Sequence, residues 1–111
     1  MPVLKSDNAP ITVIKEGVQR KLIHAKNLMT VVIDFDNGPW DQPDPRHDHV
    51  HEQTTYVVSG EILFFCEAEE PQHLKAGDLF WVPSGQSHTI QLLTKHVRLV
   101  DSFNPIREEF L

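Results

Sequence analysis

The stretch from Arg46 to Gly60, RHDHVHEQTTYVVSG, constrains this chain more than any other, because three of its seven histidines and a glutamine fall within seven residues of one another, directly before a strand-like run. In an extended segment successive side chains alternate between faces, so His47, His49 and Gln53 are expected to project to one side. A neutral imidazole offers nitrogen at roughly 2.0–2.1 Å from a zinc-sized ion, and comparable sites take nickel, iron or manganese. Two histidines on one face supply half of the donors that a four-coordinate ion needs. Residues 77 to 88, GDLFWVPSGQSH, are expected to bring the rest. Gly77 and Asp78 read as a turn, Leu79 to Val82 as an apolar strand, and Pro83-Ser84-Gly85 as a second turn. With Gly85 free to take a positive φ, the chain reverses tightly and aims His88 into the space the first strand faces.

The two stretches resemble the paired motifs of the cupin superfamily of small β-barrels. The first reads His47-x-His49-x3-Gln53-x6-Gly60 and the second Gly77-x5-Pro83-x-Gly85-x2-His88. Gln53 stands where most of the superfamily has glutamate, and Leu92 where asparagine is frequent. Among the all-β architectures that many short strands and turns allow, the resemblance selects the double-stranded β-helix, or jelly-roll barrel.

Length and composition agree with one such unit. At 111 residues the chain is expected to form a single domain, residues 1–111, around one core between two small sheets. The opening MPVLKSDNAPITVIKEG has no apolar run after a basic start, so no signal peptide is expected, and no segment reaches transmembrane length. One cysteine, Cys66, excludes an intrachain disulfide and fits a reducing cytoplasm; in ILFFC it reads as a small buried residue. Sixteen acidic against ten basic residues give a formal charge of −6 with no basic stripe, which argues against nucleic acid and anionic membrane surfaces as partners. An anionic ligand would have to be recognised locally.

Strands are expected near residues 18–25, 28–36, 46–51, 53–59, 61–67, 72–75, 79–82, 87–94 and 96–103. Eight prolines and the loop from Asp36 to Pro45 disfavour helices before the C-terminus, where NPIREEFL is expected to form one helical turn. The apolar end Phe110-Leu111 packs either on a partner subunit or on its own barrel.

Parity favours Gln53 over Glu52 as the fourth metal donor, since Glu52 points to the opposite face. His51 shares the ligand face, as a further donor or a polar wall, unless a bend after His49 turns it away. His24, His73 and His96 lie outside both motifs and read as residues without a metal role. Three imidazoles and one amide leave a dication's charge uncompensated, which favours an anionic ligand and strengthens Lewis acidity. Tyr56, Phe64, Trp81 and Trp40 are aromatic candidates for cavity or core.

HDHVHEQTTYVVSGE taken with DSFNPIREEF resembles, more narrowly, the small cupins of the KdgF type, found in pectin and alginate breakdown. In that family a divalent metal assists conversion of unsaturated uronates to linear ketonised sugars. The resemblance implies metal ligands at His47, His49, Gln53 and His88, a divalent ion (Ni, Zn, Fe or Mn), a small anionic sugar substrate and a homodimer. It also implies Asp101 as proton shuttle, Arg107 as carboxylate clamp and Phe103 as an apolar wall limiting water. The bland alternatives are a turn cap or an Arg98 partner for Asp101, a terminal ion pair for Arg107, and a core position for Phe103. Other small cupins act as metal-dependent oxygenases or cyclases, and a non-catalytic sugar-binding barrel is the third class; fold alone does not choose.

Overall fold

The computed structural model describes residues 3–111 and contains nine strands and one short 3-10 turn among them. In chain order the strands are β1 (Thr12–Lys15), β2 (Val18–His24), β3 (Met29–Phe35), β4 (Glu52–Ser59), β5 (Glu61–Cys66), β6 (Gln72–Lys75), β7 (Leu79–Val82), β8 (His88–Leu92) and β9 (Val97–Asn104), followed by the turn Glu108–Phe110. All pair antiparallel in two sheets, one ordered β1-β2-β3-β9-β4-β7 and the other β6-β5-β8. This is the all-β jelly roll that the motif pair implied.

Side-chain alternation builds the barrel interior. In β4 Gln53, Thr55 and Val57 are buried while Glu52, Thr54, Tyr56 and Val58 are exposed, and β5 repeats the pattern with Ile62, Phe64 and Cys66 inside. Burying a Val, Leu, Ile or Phe side chain stabilises by about 1.5–3 kcal/mol. One core cluster joins Val18, Phe35, Val57, Ile62, Leu92, Val97 and Leu99; Met29, Val31 and Phe103 form a second, on which Phe110 packs. Cys66 is buried, and loss of water raises its thiol pKa, as befits an inert core residue.

Two sequence expectations need correction. β1 went unread because its four residues, TVIK, are all exposed and show no half-buried alternation. Residues 46–51 are not a strand: His47 makes one isolated backbone bridge, to His88, and the chain bends at 50 and 51. The preceding loop instead runs beside β8, with Trp40 N–H donating to the Leu92 carbonyl at 3.0 Å and Asp44 N–H to the Ile90 carbonyl at 3.2 Å. Phe110 lies on its own barrel, its ring centroid 6.0 Å from that of Phe103, while Leu111 is exposed. No helix among the described residues is long and apolar enough to cross a membrane.

Candidate metal centre

Backbone pairing joins the two motifs. His47 N–H donates to the His88 carbonyl at 3.0 Å, His88 N–H returns the bond at 2.9 Å, and Gly85 N–H donates to the His49 carbonyl at 2.8 Å. Gly85 has φ 79°, the left-handed conformation the tight reversal needs. Ser84 Oγ donates to the Val50 carbonyl at 2.6 Å, fixing the bend after His49.

This pairing draws His47, His49 and His88 into one group whose potential ligand atoms all lie within 4.8 Å of one another. The backbone also sets their tautomers. His49 Nδ1 lies 2.7 Å from the His51 carbonyl oxygen and His88 Nδ1 lies 2.8 Å from that of Gln86. A carbonyl only accepts, so both Nδ1 atoms carry the proton and both Nε2 atoms present a lone pair, the arrangement a metal-bound imidazole requires. His88 Nε2 is buried with no partner. Burial, ahead of the other effects, pushes the His88 pKa down to about 4 and lowers that of His47, so these rings are neutral donors at neutral pH.

Gln53 is held by a donor chain. Its Nε2 donates to Thr55 Oγ1 at 2.9 Å, and Thr55 Oγ1 donates to Asp101 Oδ1 at 2.6 Å. The amide nitrogen thus occupied, Oε1 faces His49 Nε2 at 3.2 Å. Two lone-pair atoms this close repel unless a cation draws both, so the donor set fits a divalent ion held by the three imidazoles and the Gln53 carbonyl.

Asp101, Phe103, Arg107, Gln53, His47 and His88 all line one cavity of about 310 Å³. β4 and β9 pair Thr55 with Asp101 and Gln53 with Phe103, which sets the proton-carrying candidate beside the donor set. Burial, only partly offset by the Thr55 bond and the Arg107 charge, raises the Asp101 pKa to about 6. Phe103 is a core residue that also meets His49 edge-on, centroids 5.9 Å apart. Arg107 stands over the Phe103 and Phe110 rings and pairs with Glu109 through Nη2 at 2.9 Å. Arg98 pairs with Asp34 and not with Asp101.

The bend removes His51 from the ligand group: its carbonyl orients His49. Glu52 is exposed on the outer face. His24, His73 and His96 are exposed and outside the group. Tyr56 and Trp81 are exposed on the outside of the larger sheet; Phe64 stacks on Phe80 in the core, Trp40 packs on it, and the cavity's aromatic wall is Phe35, Phe80, Phe103 and Phe110. Thr55 was not singled out from sequence, although its parity with Gln53 marks it as inward-facing.

The sequence profile of the cupin domain matches residues 32–103. The pectin degradation protein KdgF of Dickeya dadantii (strain 3937) is 32% identical over 106 residues, 95% of this chain and 94% of that protein. An RmlC-like cupin from Shewanella frigidimarina superposes with TM-score 0.86 at 33% identity, covering 97% of this chain and 94% of that one. The structure of KdgF from Halomonas sp. superposes with TM-score 0.85 at 31% identity, covering 96% and 97%.

Proposed function

This chain belongs to the cupin domain family, and from that premise we propose that it isomerises 4,5-unsaturated uronates from pectin or alginate breakdown to linear ketonised sugars. Two sequence relatives, from Dickeya and Halomonas, bear the KdgF name. The observation that carries the reading is the chain Asp101–Thr55–Gln53, which links a half-buried carboxylate to the histidine group inside the cavity that Arg107 enters.

The substrate is a cyclic hemiacetal with an enol-ether ring oxygen at C5 and a neighbouring carboxylate. Opening it removes the O1 proton, breaks the C1–O5 bond, makes C1 an aldehyde and leaves the electron pair on the C5 enolate. Protonation at C4 then gives the ketone; atoms and electrons balance with no oxidant. His47, His49, Gln53 and His88 would hold a divalent ion, which would supply Lewis acidity toward negative charge developing on the substrate oxygens. Asp101 carries the proton from O1 to C4. Arg107 exchanges the exposed Glu109 carboxylate for that of the substrate, with a fork matched to either. Phe103 closes the apolar side of the cavity and limits water. A homodimer belongs to the same proposal; light scattering should give twice the 12.7 kDa chain mass.

The test is anaerobic incubation of metal-loaded protein with the unsaturated product of a pectate or alginate lyase, following loss of its conjugated chromophore. Faster loss than in buffer is expected without oxygen. No acceleration, at confirmed metal content, rejects the reaction; an absolute need for oxygen favours an oxygenase.

A further inference from the structure

Arg20 occupies a position where the fold calls for an apolar side chain. It lies on β2 between Val18 and Leu22, both packed in the cores, and opposite Ile33 of β3. Alternation therefore turns it into the barrel, where it lines the same cavity as His47, His88 and Arg107. Its Nε is buried without a hydrogen-bond partner, and it takes part in no ion pair among the described residues. Its guanidinium carbon stands 4.0 Å from the centroid of Phe110, whose ring also carries Arg107 at 4.4 Å.

A buried, unpaired N–H on a cation is costly to maintain unless an anion meets it. The charge in the cavity points the same way. In a chain of net charge −6, the cavity gathers Lys15, Arg20 and Arg107 against two acids, Asp44 and Asp101. Asp101 is engaged by Thr55, and Arg107 has Glu109 as a resident partner, whereas Arg20 has none.

We infer that Arg20 is a second anion-binding residue of this cavity, its Nε–H and guanidinium fork taking the carboxylate of a uronic acid beside Arg107. The inference rests on the proposed uronate ligand, though not on its turnover.

The experiment titrates metal-loaded protein calorimetrically with galacturonate and with galactose, its neutral counterpart, in wild type and Arg20→Met. Methionine keeps the contact with Phe110 and removes the charge. Wild type should prefer the acid, and Arg20→Met should weaken galacturonate by about 10- to 100-fold, the worth of a hydrogen bond to a charged group, with metal content and galactose binding unchanged. Equal galacturonate affinity in the variant would show that the guanidinium only packs on Phe110, and lack of acid preference in wild type would equally overturn the inference. A selective loss in a protein that fails to open unsaturated uronates leaves this inference standing and rejects the reaction. Should Arg20→Met not fold, a structure of wild type with galacturonate decides: a carboxylate oxygen about 3 Å from Arg20 Nε supports it, and a carboxylate held elsewhere overturns it.

Discussion

Thr55 determines which end of the Gln53 amide faces the imidazoles. Its hydroxyl has one proton, given to Asp101, so it accepts from the Gln53 nitrogen and leaves the Gln53 oxygen facing His49. Thr55→Val keeps the shape and removes both bonds, leaving the amide nitrogen only its longer bond to Asp101 Oδ1 at 3.4 Å and so loosening its orientation. Metal affinity should fall about 10- to 100-fold, as when an outer hydrogen-bond partner of a ligand is removed, which a competition titration against a chelator measures. Asp101 and Arg107 should separate kinetically. Asp101→Asn is isosteric and should lower kcat for the unsaturated uronate by about 10²- to 10⁴-fold, the usual share of a proton-transfer group. Arg107→Ala should retain the metal and raise KM, with metal analysis on both variants; retained KM would show that the carboxylate binds elsewhere.

At the scale of the elements, β4 and its flanking turns position the site. Gly60 ends β4 at φ 84°, and a Cβ there would run into the His96 carbonyl oxygen, which is backbone and has no rotamer to give. Gly60→Ala should therefore destabilise by at least about 1–3 kcal/mol, read as a lower urea midpoint at unchanged slope. The strands from β2 to β9 were legible because short runs rich in apolar and β-branched residues, such as EILFFC, are set off by turn residues. The grouping of His47, His49 and His88 was legible too, since their spacing within the two motifs is unusual. The region 46–51 misled because period-two reasoning presupposes extended backbone, and a loop held by Ser84 and Gly85 can aim His47 and His49 together without one. Contacts such as Thr55 with Asp101, 46 residues apart, depend on strand register, which a single sequence does not encode locally. Arg20 escaped for a different reason: an arginine in a short strand reads as solvated, although its parity with Val18 and Leu22 turns it inward.

For the whole molecule, the site exists only because the barrel closes. His47 and His49 of the first motif lie in the irregular loop before β4 and His88 of the second at the start of β8, and the mutual backbone bonds of His47 and His88 join them. Much of the structure stands independently of that junction, since the core clusters contain none of the three histidines. Loss of a ligand should thus empty the site and leave the fold. The direct test is elemental analysis of purified wild type and His88→Ala, each checked for retained β structure by circular dichroism. One divalent ion per chain in wild type and almost none in folded His88→Ala is predicted. Full occupancy in the variant, or a folded wild type that binds no divalent ion, would contradict a centre shared between the two motifs.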